Sequence, residues 1–238
     1  MTEVKICGIT NREDAMTAVR AGADAIGFIF YARSSRCVSP DRVREINLRL
    51  PGKLCRVGVF VDQEAEEVKR VFRFCKLDFI QLHGKESPDY CGLFSPAVLI
   101  KAVSLRGEAD LDSLSHYPVR AILLDAYDPL QPGGTGRTCD WNLARRAGEK
   151  HRIILAGGLN PENILAALEA VSPWAVDIGS GVEAHPGKKD PQKVKELVAV
   201  VKGAGKFSRS YPGFPFLEKK GTTKPIFRRN DGKEFIAG

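Results

Sequence analysis

The sequence predicts an α/β protein, a (β/α)8 TIM barrel over residues 1–205 followed by a basic, irregular C-terminal extension over residues 206–238. Three observations carry this expectation. Short, nearly continuous apolar runs alternate with amphipathic segments, the pattern of a parallel sheet covered by helices. The strand, turn and helix unit recurs eight times in 205 residues, which is the size of a minimal barrel. Polar residues gather at the ends of all eight strands rather than at one switch point, and no G-x-G-x-x-G follows the first, so a doubly wound open sheet is the weaker alternative.

The first strand, Val4 to Thr10, places Cys7 near its carboxyl end and stops at Gly8. Thr10 or Asn11 caps a helix over Ala15–Arg20 with acids in its first turn, closed by Ala21-Gly22-Ala23. Ala25 to Phe30 is the second strand; a polar loop through Ser34, Ser35 and Arg36 leads to Ser39-Pro40, a cap and first-turn proline. Leu54 to Val61 is the third strand, and its helix carries Val68, Val71 and Phe72 on one face. Strands four to six run over Phe79–Gly84, Val98–Val103 and Ala121–Ala126, with helices beginning at Ser87-Pro88 and at Ala109. A loop rich in glycine and proline spans Asp128 to Asp140 before the helix that starts at Trp141. Arg152–Gly158 and Ala175–Glu183 are strands seven and eight, followed by helices over Pro161–Val171 and from Asp190-Pro191 to Val201. Beyond Gly205 the periodicity is lost, and no layer of the barrel is expected to need residues 206–238.

Composition narrows the function. No apolar run approaches the ~18 residues of a membrane span and no secretion signal opens the chain, so a cytoplasmic protein without a membrane partner is expected. Six cysteines lack any C-x-x-C pair, which suggests neither a zinc site nor a thioredoxin-like motif and fits a reduced protein. Four are read as packing residues or bystanders, Cys37 as a neighbour of the site through Arg36, and Cys7 as chemical. The extension holds eight lysines and arginines against three acids, a surplus of five that leaves +2 of the formal +7 for residues 1–205. A charged tail of this size is most often solvated, so no nucleic-acid partner is expected.

In such a barrel the working residues sit at the carboxyl ends of strands. The polar candidates there are Cys7, Arg36, Asp62, Gln81, His83, Lys101, Asp125 and Asp177. Two glycine-rich turns, Ala156-Gly157-Gly158 after strand seven and Gly179-Ser180-Gly181 after strand eight, let backbone N–H groups approach an anion where this architecture usually binds phosphate.

Eight segments in unbroken order give the chain a family resemblance. They are Lys5-Ile6-Cys7-Gly8-Ile9-Thr10, Gly27-Phe28 leading to Ser34-Ser35-Arg36, Val57-Gly58-Val59-Phe60-Val61, Gln81-Leu82-His83-Gly84, Leu123-Leu124-Asp125, Gly133-Gly134-Thr135-Gly136, Leu155-Ala156-Gly157-Gly158-Leu159, and Val176-Asp177 with Ser180-Gly181-Val182-Glu183. Together, over residues 1 to about 203, they resemble phosphoribosylanthranilate isomerase. The resemblance implies an aldose–ketose isomerase of tryptophan biosynthesis that performs an Amadori rearrangement with no cofactor and no metal, on a small phosphosugar, as a monomer or homodimer.

By matching motifs it implies Cys7 as general base, Asp125 as general acid and Arg36 as the anchor of the anthranilate carboxylate. It further implies substrate binding by Asp177, Gly157, Gly158, Ser180 and Gly181, with His83 and Gln81 behind them. Lys5 is expected on the opposite face of its strand from Cys7, which would leave a substrate iminium to help ionise the thiol. Gly179 stands where the family commonly has a serine, and the basic extension has no counterpart in the family pattern. The rival within enzymes, indole-glycerol-phosphate synthase, places a lysine acid and a glutamate base on its inner strands, whereas this chain offers Cys7 and Asp125. A catalytically silent sugar-phosphate-binding barrel should have lost one of those two residues.

Overall fold

The computed structural model describes residues 1–51, 53–126, 139–207 and 225–228. Eight parallel strands, β1 (Glu3–Cys7), β2 (Ala25–Ile29), β3 (Cys55–Phe60), β4 (Phe79–Leu82), β5 (Leu99–Val103), β6 (Ala121–Leu124), β7 (Ile153–Leu155) and β8 (Ala175–Ile178), close in sequence order into a barrel. Closure is made by β8 against β1, with Glu3 opposite Ala175 and Lys5 opposite Asp177. The expectation of a (β/α)8 barrel therefore holds, and the open-sheet alternative does not.

The helices form where their caps and faces were expected. Helix α1 (Arg12–Ala21) starts because the Asn11 side chain accepts from the Asp14 N–H, and it ends at Gly22, whose φ of 89° suits only a residue without a Cβ. Ser39 caps α2 (Pro40–Asn47) in the same way, and α3 (Ala65–Phe74) buries Val68, Val71 and Phe72. The next two, α4 (Pro88–Cys91) and α5 (Ala109–Ser113), are short. They are followed by α6 (Trp141–Lys150), capped by Asp140, and α7 (Ile164–Val171). Between barrel and helices lies one apolar layer that includes Val4, Ile6, Phe28, Phe60, Leu82, Leu124, Leu155 and Val176; the inward residues, among them Ala25, Val57, Phe79, Ile100, Leu123 and Ile154, form a second.

Three features differ from the sequence expectation. The eighth strand stops at Ile178 instead of running to Glu183, because the backbone at Gly179 (φ −107°, ψ −93°) leaves the β region. A 3-10 turn over Ser180–Val182 follows, then a hairpin of β9 (Glu183–His185) and β10 (Lys188–Lys189) that turns at Gly187 and docks on α1 through the Asp14 carboxylate. Helix α8 runs from Pro191 to Phe207, so the expected boundary after Gly205 falls inside it.

Residues of the extension also enter the core. Ile226 and Phe227 are buried against the amino-terminal ends of the strands, so part of the extension packs into the inner layer of the barrel and does not stand apart from it. The physical reason is that the small inward residues Ala25, Ala121 and Ala175 leave space there that two large apolar side chains fill. The Asp128–Asp140 loop, with its Gly133-Gly134-Thr135-Gly136 motif, falls almost wholly outside the described residues.

Candidate active site

A cavity of about 350 Å³ opens at the carboxyl ends of the strands. Cys7, Arg36, Gln81, His83, Asp125, Gly157, Gly158, Asp177, Ser180 and Gly181 all line it, so every one of the catalytic and binding candidates faces the same space. Asp62, Lys101 and Cys37 do not. Lys101 lies between the inward Ile100 and Ala102 and so points outward, where its ammonium donates to the carbonyls of Leu82, Gly84 and Ala102 and pairs with Glu86 at 3.0 Å. Asp62 accepts from the Lys85 N–H and braces the loop after β4. Cys37 is exposed and lies outside the cavity lining.

The first strand supplies the centre of the site. Residues two apart share a face of a strand, so Glu3, Lys5 and Cys7 all point inward. Lys5 is therefore beside Cys7, which corrects the expectation that it faces away. Its ammonium is fully buried, donates to Asp177 Oδ2 at 2.7 Å and hydrogen-bonds the Cys7 thiol. Gly27, opposite Cys7 on β2, makes room for this pair, since a Cβ there would lie 2.7 Å from Sγ and 3.0 Å from Lys5 Nζ. Burial pushes the thiol up, the Asp177 carboxylate pushes it further, and Lys5 opposes both without reversing them. Burial alone would lower Lys5, but Asp177 and Cys7 together hold it above the ordinary lysine range.

Across the cavity, Asp125 follows β6. Its Oδ1 accepts from the Ala126 N–H and its Oδ2 lies 3.1 Å from His83 Nε2. The Gln81 amide nitrogen lies 3.0 Å from His83 Nδ1, on the side of the ring opposite the carboxylate. Gln81, His83 and Asp125 thus form one hydrogen-bonded chain spanning β4 and β6. Two buried oxygens of the site, Asp177 Oδ1 and Gln81 Oε1, have no hydrogen-bond partner among the described residues and are free to meet a ligand in the cavity.

Arg36 reaches the cavity rim from the loop after β2. One edge of its guanidinium grips Glu183, with Nε to Oε1 at 2.8 Å and Nη2 to Oε2 at 2.7 Å, which fixes the plane and leaves the Nη1 side without a hydrogen bond among the described residues. Glu183 also holds Lys189 at 3.0 Å. Burial raises the Glu183 carboxyl, yet the bonds from Arg36 and Lys189 outweigh it and keep it below the ordinary range. Lys5, Glu183 and Lys189 were absent from the sequence-derived candidates. Strand parity was the available signal for Lys5, whereas the other two depend on a hairpin that has no period-2 pattern.

The two glycine turns close the far side. Gly157 and Gly158 have φ of 80° and 59°, and a Cβ on Gly157 would lie 2.6 Å from the Ala126 nitrogen. At Gly181 a Cβ would meet the Leu159 carbonyl oxygen at 1.9 Å, so no side chain fits. Around Gly179 nothing lies within 4 Å of a Cβ, so a small side chain would meet no neighbour there. Among the described residues no cluster of His, Cys, Asp and Glu is arranged to hold a metal ion, and no helix is long and apolar enough to cross a membrane.

The chain is similar to known proteins in sequence and in fold. The family model described as N-(5'phosphoribosyl)anthranilate (PRA) isomerase matches residues 4–200. An N-(5'-phosphoribosyl)anthranilate isomerase of Syntrophus aciditrophicus is 48% identical over 236 residues, 98% of this chain and 100% of its own length. Monomers derived from the dimeric phosphoribosylanthranilate isomerase of Thermotoga maritima superpose with a TM-score of 0.74 at 41% identity, over 85% of this chain and 100% of that one. A phosphoribosylanthranilate isomerase in complex with reduced 1-(o-carboxyphenylamino)-1-deoxyribulose 5-phosphate superposes with a TM-score of 0.75 at 41% identity, with the same coverage. On its fold, its cavity and these matches, the chain belongs to the phosphoribosylanthranilate isomerase family of tryptophan biosynthesis.

Proposed function

We propose that this chain isomerises N-(5-phosphoribosyl)anthranilate, an aminoaldose, to the aminoketose 1-(2-carboxyphenylamino)-1-deoxyribulose 5-phosphate, with Asp125 as general acid and Cys7 as general base. The observation that carries the reading is that a thiol, a carboxyl group and a glycine-lined anion cup share one cavity of about 350 Å³. That volume lies in the range of small-molecule sites.

The protonated Asp125 gives its proton to the furanose ring oxygen while the amine nitrogen lone pair expels that oxygen from C1′, leaving an open-chain iminium. The Cys7 thiolate then removes the C2′ proton, and the electrons of that C–H bond become the C1′–C2′ double bond of an enolamine. Tautomerisation delivers the ketone. Hydrogen moves within one molecule, so the step needs no outside oxidant or reductant. Burial favours the neutral thiol in the free protein, and Lys5, fixed by Asp177, offsets part of that preference. The iminium adds a second positive charge when the base is needed.

Arg36 suits the anthranilate carboxylate, because Glu183 orients its plane while the Nη1 side stays open. The phosphate suits the backbone of Gly157, Gly158, Ser180 and Gly181. The unpartnered Asp177 Oδ1 suits a ribose hydroxyl. His83 and Gln81 hold the Asp125 carboxyl in place. We infer action in the cytoplasm, as a monomer or homodimer, with no cofactor, no metal and no nucleic-acid or membrane partner. The test is to generate phosphoribosylanthranilate in situ and follow the loss of its fluorescence with and without the protein. Turnover is expected, and its absence would remove the proposal.

A further inference from the structure

The amino-terminal end of the barrel holds a second built environment, remote from the cavity. Glu3 begins β1, Phe79 begins β4, and Arg120 directly precedes β6; none of them lines the active-site cavity. Two residues of the extension sit among them, Ile226 at 0% and Phe227 at 7% exposure. The Phe227 ring meets Phe79 edge-on, with centroids 5.9 Å apart and planes at 80°, and the Arg120 guanidinium lies 5.6 Å from the Phe79 centroid.

The polar contacts are directed at backbone. Glu3 Oε2 accepts from the Ile226 N–H at 2.6 Å and Oε1 from the Phe227 N–H at 3.1 Å. Arg120 donates from Nε to the Ile226 carbonyl at 2.7 Å and from Nη2 to the Pro225 carbonyl at 2.9 Å. A carboxylate reading two consecutive amides, beside a guanidinium reading two consecutive carbonyls, recognises a peptide by its main chain, while the Ile226 and Phe227 side chains select for apolar bulk.

We propose that the amino-terminal end of the barrel is a peptide-recognition site and that Pro225–Arg228 of the same chain is its occupant, held by the Glu3 carboxylate and the Arg120 fork. Glu3 stands at the edge of an apolar layer, and the two amides supply hydrogen bonds that favour its charged form there. Burial already pushes its carboxyl above the ordinary range with those amides in place. The barrel of the Thermotoga maritima relative is matched along 100% of its length by only 85% of this chain, so the occupant is an addition to the fold and not one of its layers by necessity. The Syntrophus aciditrophicus relative aligns over 98% of this chain and therefore extends through the same region.

Hydrogen–deuterium exchange on the full chain tests the assignment. The Ile226 and Phe227 amides should exchange at least about 100-fold more slowly than in an unfolded chain. Glu3→Ala should return both to the unfolded rate while strand amides keep their protection, and Ile226→Asp, which alters no barrel residue, should do the same. Both variants should keep kcat/KM within about threefold, since the cavity lies at the other end. Unprotected amides in the unaltered chain, or protection that survives both variants, would overturn the proposal. Protection that grows with protein concentration would give the site to the extension of a second copy and overturn the assignment to the same chain.

Discussion

At its carboxyl end the barrel surrounds an open cavity with a thiol, carboxylates, an amide and a guanidinium, and Asp177 Oδ1 and Gln81 Oε1 are buried there without partners among the described residues. At its amino end the charged groups Glu3 and Arg120 are matched by the main chain of residues 225–227. One strand serves both, with Glu3 at the filled end and Cys7 at the open one. The difference teaches what separates the two ends of this barrel: the amino end commits its charged groups to the protein's own main chain, and the carboxyl end turns polar side chains toward an open cavity.

The contrast is broken most sharply by removing the open end's reacting groups. Cys7→Ser should lower kcat by about 100-fold or more with little change in KM, and Asp125→Asn should act in the same direction, because positioned proton transfer is worth about 10²- to 10⁴-fold. Steady-state kinetics check this. A Cys7→Ser protein with near-normal kcat would make the thiol a packing residue.

Arg36→Met should raise KM by roughly 10- to 100-fold with kcat largely kept, given the ~1.5–3 kcal/mol of a hydrogen bond to a charged group. If kcat collapsed and KM stayed, Arg36 would belong with the reacting groups and not with the anchors.

A pH profile sharpens the comparison further. Burial and Asp177 hold the Cys7 thiol above its ordinary value, so direct titration of that thiol, by the pH dependence of its alkylation rate, should place its ionisation above the ordinary thiol range. Asp177→Asn removes one cause of that elevation and frees the Lys5 charge, so the titration should move to lower pH. The same elevation carries a stability sign: a folded-state value above the unfolded one contributes stability that is complete below the unfolded pKa and is lost as pH climbs through the folded one. Thermal melts of the unaltered protein should therefore weaken on the alkaline side, and less so for Cys7→Ser.

The smallest effect on activity belongs to the filled end. Ending the chain after Phe207 should leave kcat/KM within about threefold, while Tm falls by several degrees, at ~2–4 °C per kcal/mol for a protein of this size. A truncated protein that folds by circular dichroism yet loses most of its activity would mean that the extension acts on the cavity.

The barrel was legible because its strands are apolar runs of strand length and its helices carry explicit caps at Asn11, Ser39, Ser87 and Asp140. The cavity residues were legible because strand ends are where this architecture works. Strand parity, applied strictly, would also have put Lys5 beside Cys7 and turned Lys101 outward. The hairpin that brings Glu183 and Lys189 to Arg36 is built on two short strands and a bulge, too little for a periodic signal. Ile226 and Phe227 were opaque for another reason. They belong to an aperiodic stretch, and their contacts with Glu3 join residues 223 and 224 positions apart, which no local pattern encodes.

That separation has a consequence for synthesis. The ribosome makes the Glu3 carboxylate almost first and the amides that satisfy it 223 and 224 residues later. By then every strand and helix of the barrel has been synthesised, and domains generally fold as units. A barrel that closes first would hold this end open to water, with Glu3 hydrated, until the late segment docks and displaces that water.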